Sequence, residues 1–111
     1  MQEPKDIEAG VPDLSVVVPT YNEEKTLARV IENLMAVSGL LEIVIVDDCS
    51  TDRSPEIIEH LLKKYPIIRS IRLSKNQGKT AALKAGFAAT TGDIVIVQDA
   101  DLEYDPAEIP D

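Results

Sequence analysis

Short apolar runs punctuate the chain, and between them apolar residues fall at helical spacing. Residues 14–18 form a first strand, stopped by Pro19, and residues 41–46 a second. Ile94 to Val97 is a continuous β-branched run preceded by Gly92, which reads as a strand buried on both faces. A weaker third strand spans 67–73, with Ile68, Ile71 and Leu73 as its apolar members. Leu27, Val30, Ile31, Leu34 and Met35 lie on one stripe and predict a helix over 22–37. Glu23 and Glu24 would occupy its first turn, where the helix dipole favours negative charge, and Gly39 would end it. Pro55 suits the start of a second helix reaching about Tyr65, with Ile57, Ile58, Leu61, Leu62 and Tyr65 inward and Pro66 closing it. Residues 79–90 form an alanine-rich third helix, with Ala82, Leu83 and Phe87 inward and Gly92 as its C-terminal cap.

Strands and helices therefore alternate as β-α-β-α-β-α-β. Right-handed crossovers then require a parallel sheet with helices on both faces, an α/β, Rossmann-like architecture. By analogy with doubly wound sheets, the expected strand order is 3-2-1-4. Residues 1–13 are polar, contain Pro4, Gly10 and Pro12, and read as a flexible lead-in to a domain over 14–111. In the order 3-2-1-4 the last strand lies on an open edge. It lacks the charge or proline that protects natural edges, so a homodimer through it is expected.

Composition narrows the function. The 111 residues hold 20 Asp+Glu against 11 Lys+Arg, a formal net charge of -9. That argues against nucleic acid as a partner, since such binding draws its affinity from neutralised phosphates. Cys49 is alone, which excludes a disulfide framework and a thiolate metal cluster. One His, one Phe and no Trp argue against a histidine metal site or an aromatic stacking platform. No stretch approaches the ~20 apolar residues of a membrane span, and the N-terminus lacks a signal-peptide core, so a cytoplasmic protein is expected. Between Glu59 and Asp93 there is no acid, while that segment carries Lys63, Lys64, Arg69, Arg72, Lys75, Lys79 and Lys84. Such a segment is either solvated surface or a basic face turned toward an anionic ligand or membrane headgroups.

Ligands of open parallel sheets bind beyond the carboxyl ends of the strands. The polar clusters of this chain fall there: residues 19–23, then 47–50, then 75–79, then Asp99 and Asp101. Two carboxylates one residue apart suit either a solvated acidic turn or a hard divalent cation, Mg²⁺ or Mn²⁺, bridging to a diphosphate. Asp48 or its neighbour can accept the imide N–H of a base, and Tyr21 can pack on that base. Backbone N–H groups near Gly78 and the Lys79 ammonium can face phosphate. Gly78-Lys79-Thr80 ends like a P-loop, but the required upstream glycine position is Leu73, inside a strand. A phospho-acceptor domain would need an acid after the first strand, where Pro19-Thr20-Tyr21 stands.

Residues 16–24 (VVVPTYNEE), 43–52 (IVIVDDCSTD), 76–79 (NQGK) and 99–106 (DADLEYDP) together resemble the inverting glycosyltransferases of family 2, whose fold is the GT-A type. The resemblance extends from about Leu14 to Asp111 and is strongest to polyprenyl-phosphate sugar transferases. It implies a nucleoside diphosphate sugar donor and a divalent metal. Asp48 would recognise the base, and Pro19, Tyr21 and Glu23 would line the nucleotide pocket. Asp99 would approach ribose or metal, Asp101 would be the main metal ligand, and Lys79 would lie near the donor phosphates. Cys49 stands where the family often has Gly, and as another small residue it is expected to matter little. Family members continue well past this length, so the chain is expected to be the donor-binding half, inactive alone. The acceptor would be a polyprenyl phosphate at the cytoplasmic face of a membrane. The alternatives are a sugar hydroxyl as acceptor, or a nucleotide-binding module without transfer activity.

Overall fold

A computed structural model describes residues 13–101. The lead-in through residue 12 and the Leu102–Pro106 part of the last motif lie outside the described residues. The elements are β1 (Leu14–Thr20), α1 (Leu27–Leu34), β2 (Leu40–Asp47), α2 (Ser54–Lys64), β3 (Ile68–Arg72), α3 (Lys79–Ala89) and β4 (Ile94–Val97). Neighbouring strands all pair in parallel, in the expected order β3-β2-β1-β4.

Side-chain alternation along the central strands sets the layers. Val16 and Val18 of β1 and Ile43 and Ile45 of β2 join Leu27, Val30, Ile31 and Leu34 of α1 and Ile58 and Leu61 of α2 in one core. Val17, Val44 and Val46 point the other way and pack on Ala82 of α3. Helices thus cover both faces. Residues 16–18 of β1 and 43–46 of β2 lose all contact with water on both sides, which is why they read as unbroken apolar runs.

At the amino edge of the sheet, Glu42 is buried and fully engaged. Its carboxylate accepts from Ser15 Oγ at 2.7 Å, from the Thr91 N–H at 2.6 Å and from Arg69 at 2.6 Å. Burial alone would push its pKa up, but hydrogen bonds from Ser15, Thr91 and Arg69 outweigh that and hold the carboxyl below its ordinary range. Glu42 thereby ties β1, β3 and the turn into β4 to β2.

Several local expectations are corrected. α1 begins at Leu27, not at residue 22. Asn22 is in the left-handed region (φ 53°), and the Glu23 carbonyl accepts from Thr26 and Leu27 in a turn. Glu23 and Glu24 precede the helix because Ser54, at the start of α2, and Asp52, in the loop before it, take their N–H groups. The helix ends at Leu34, capped by Met35, and Gly39 (φ 78°) instead shapes the turn into β2. Gly92 does not cap α3. Thr90 does, in an extended conformation, while Gly92 lies against β1 and donates its N–H to Ser15 Oγ.

Phe87 is exposed, not inward, and the buried positions of α3 are Ala82 and Gly86. An alanine-rich helix has little contrast between faces, so its rotation cannot be read from apolar spacing. Ile94 to Val97 are not buried on both faces but 37–45% exposed. Among the described residues β4 is an edge strand, hydrogen-bonded to β1 alone.

Candidate nucleotide and metal site

The register brings the strand ends level. Thr20 pairs with Asp47, Asp47 with Arg72, and Val17 with Val97. Beyond that line lies a cavity of about 260 Å³. Pro19, Tyr21 and Glu23 reach it from β1, Asp48 from β2, Lys79 from the start of α3, and Asp99 and Asp101 from the end of β4. The seven side chains assigned to base, nucleotide pocket, phosphate or metal line this one space, whereas Gly78, whose N–H was expected to face phosphate, does not. Thr20, Ala82 and Ala100 complete the wall. Thr20 stood in the polar cluster 19–23, Ala82 among the inward residues of the third helix and Ala100 inside the 99–106 motif. None was assigned to the cavity, because small, uncharged side chains carry no chemical signal and only packing places them there.

Asp48 is nearly buried, and its carboxylate is already engaged. It accepts from the Gln77 N–H at 2.8 Å and the Gly78 N–H at 2.9 Å, and its carbonyl accepts from the Asn76 amide at 3.3 Å. The backbone donors expected to face phosphate are therefore turned onto Asp48 instead. A carboxylate with two charge-assisted bonds to one loop fixes that loop, and with it the position of Lys79 at the start of α3.

The loops after β1 and β2 are laced together. Asn22, Glu23 and Glu24 donate their N–H groups to Ser50 Oγ (2.9 Å), Ser54 Oγ (2.9 Å) and Asp52 (3.1 Å). In return, Thr51 and Asp52 donate theirs to the Asn22 amide oxygen at 2.8 and 3.2 Å, and Arg53 donates to Glu24 at 2.8 Å. Asn22 and Ser50 were legible only as members of the polar clusters at the strand ends, Asp52 only as part of the 43–52 motif, and Ser54 not at all. Their work is to hold Tyr21 and Glu23 at the rim. Arg72, paired with Asp47 at 2.5 Å, fastens β3 to the same corner.

Cys49 has φ 64°, a left-handed conformation that glycine adopts freely and a side chain does not. Keeping a small residue there is thus not neutral, contrary to expectation. The constraint is on the backbone rather than on volume.

The rim is acidic. Glu23 has its pKa raised, first by burial and then by the charges of Asp101, Asp52 and Asp99. Lys79 Nζ lies 2.6 Å from Asp99 Oδ1. Among the described residues, no group of three or more His, Cys, Asp or Glu side chains is arranged to hold an ion by itself. Oxygen donors in a field negative enough to perturb Glu23 do fit a hard divalent cation, provided a ligand supplies further oxygens.

A parallel α/β sheet with an acidic, cavity-forming rim at its carboxyl end defines the class of open α/β domains that take their ligands at the strand ends. Residues 15–111 match the model of glycosyl transferase family 2, and the chain belongs to that family. Its four-stranded sheet is that of the GT-A transferases. It is 42% identical, over 87% of its length, to dolichol-phosphate mannosyltransferase of Pyrococcus furiosus. It is 41% identical, over 90% of its length, to undecaprenyl-phosphate 4-deoxy-4-formamido-L-arabinose transferase of Pectobacterium carotovorum. A solved mannosyltransferase of Pyrobaculum calidifontis, in complex with GDP-Man and Mn²⁺, superposes with a TM-score of 0.75 at 31% identity over 81% of this chain. The chain spans 28% and 32% of the two relatives and 28% of the solved structure.

Proposed function

We propose that the chain forms the donor-binding part of an inverting glycosyltransferase, which moves a sugar from a nucleoside diphosphate to a polyprenyl phosphate. The observation that carries this reading is the convergence of seven candidate residues, from three strand ends and one helix start, on a single cavity. The relatives named for lipid-phosphate acceptors, and the neighbour holding GDP-Man and Mn²⁺, support it.

In this reading Asp48 accepts a hydrogen bond from the base, Tyr21 and Pro19 pack on it, and Glu23 borders the pocket. Asp101, with Asp99, would hold Mg²⁺ or Mn²⁺; when bound, the ion neutralises charge on the diphosphate. Lys79 directs its ammonium at the same phosphates and stabilises the leaving group as the sugar–oxygen bond breaks. An acceptor phosphate oxygen attacks the anomeric carbon from the opposite face. It is already anionic at neutral pH, so a strong general base is not required. A lipid acceptor places the reaction at a membrane surface, and a nucleotide donor suits the cytoplasmic side. Among the described residues, no helix is long and apolar enough to cross the membrane. The open, uncharged β4 edge, exposed along its whole length, would pair with a second copy of the chain. Sedimentation over a concentration series tests this: Val95→Lys should abolish dimers, and a strictly monomeric wild type would refute them.

Calorimetric titration with UDP-glucose, UDP-GlcNAc and GDP-mannose, with Mn²⁺ and then with EDTA, tests the main reading. One donor should bind only with the metal, and Asp101→Asn should remove that dependence. Equal binding in EDTA would overturn it.

A further inference from the structure

The ion pair between Lys79 and Asp99 has a role beyond phosphate contact. Asp99 and Asp101 are the acids proposed to hold the metal, and both their charges, with that of Asp52, act on Glu23. Lys79 Nζ sits against this group, 2.6 Å from Asp99 Oδ1. A cation approaching an empty cavity must therefore take Asp99 away from an ammonium, and it gains no phosphate oxygens in exchange. A cation arriving with a diphosphate meets a different balance. Lys79 can swing from Asp99 to the phosphate and keep an anionic partner throughout, while Asp99 is released to the metal. Both partners are about half exposed, so the pair is weak enough to exchange without unfolding anything.

We infer that Lys79 is a specificity determinant of the rim: by pairing with Asp99 it disfavours free divalent cations and makes metal uptake depend on the nucleotide. This rests on the functional reading above. By linkage, the metal must then strengthen nucleotide binding by the same factor. Lys84, exposed on the same helix but outside the cavity, provides a charge-matched control.

The test is Mn²⁺ binding to the 111-residue chain, followed by electron paramagnetic resonance, first alone and then with saturating GDP or UDP. Lys79→Gln should bind free Mn²⁺ about three- to fivefold tighter than wild type, the range expected for losing an exposed ion pair. It should also reduce the gain in Mn²⁺ affinity that the nucleotide brings. Lys79→Arg, which keeps the positive charge, should bind free Mn²⁺ less tightly than Lys79→Gln, and Lys84→Gln should behave like wild type. Thermal melting of each variant establishes that it is folded. If Mn²⁺ binds wild type with nucleotide but Lys79→Gln leaves free Mn²⁺ binding unchanged or weaker, the role of Lys79 is refuted and the functional reading stands. An equal effect of Lys84→Gln also refutes it, since long-range charge would then suffice. If wild type binds no Mn²⁺ even with either nucleotide, the functional reading falls, and the inference with it.

Discussion

Gly86→Ala probes how α3 is held on the sheet. A methyl group at residue 86 would lie 2.4 Å from Val17 Cγ1 and 3.2 Å from Val46 Cγ2. The first distance is about 1 Å short of ordinary contact. Val17 and Val46 are fully buried in the two central strands, so neither can turn aside cheaply. Overpacking of this kind costs about 1–3 kcal/mol. Replacing glycine by alanine inside a helix returns about 1 kcal/mol. At 2.4 Å the upper half of that overpacking range applies, so the net expectation is a loss of about 1–2 kcal/mol, read in urea as a midpoint lowered by roughly 0.5–1 M. The change also reaches function, because α3 starts at Lys79 and its Ala82 lines the cavity. Retreat of the helix should therefore weaken nucleotide binding as well. Val17→Ala should rescue part of both losses when combined with Gly86→Ala, since it removes the opposing methyl groups. If Gly86→Ala is as stable as wild type or more so, helix propensity has won, and the close approach of α3 to the sheet is wrong.

Three further outcomes are expected. Cys49→Gly should stabilise the chain by about 0.5–1 kcal/mol in the same urea assay, because a left-handed side-chain residue costs ~1–2 kcal/mol and glycine gives part of that back as entropy; a destabilised variant would show that the Cys49 contacts matter more than its φ of 64°. Glu23, with a pKa raised by burial and then by Asp101, Asp52 and Asp99, favours folding fully only below the ordinary carboxylate range, and that contribution is lost as pH rises through the raised value. Urea midpoints should fall over that interval in wild type and fall less in Glu23→Gln; parallel profiles would refute the assignment. Asp48→Ala should weaken nucleoside and nucleoside diphosphate binding alike, by ~1.5–3 kcal/mol, as expected for a lost bond to a charged group; loss confined to the diphosphate would mean that Asp48 acts only through the loop at Gln77 and Gly78.

The amino-acid sequence by itself determined the element order, the parallel sheet and the rim that carries the chemistry. Period is a local property: unbroken β-branched runs and a 3.6-residue stripe need no partner to be recognised. Crossover handedness then leaves few topologies, and in those the polar clusters at strand ends must share one edge. What only the tertiary structure decided concerns groups whose partners are distant in sequence. Asn22 and Ser50 look like ordinary loop residues until the two loops meet and each satisfies the other's backbone. Glu42 reads as a surface acid until Ser15, Arg69 and Thr91 close around it. The start of α1 shifted to Leu27 because the N–H groups of Glu23 and Glu24 found partners across the rim, which local spacing cannot reveal. The rotation of α3 was likewise hidden, since alanines on all sides leave it to Gly86 and the valines beneath to choose the buried face.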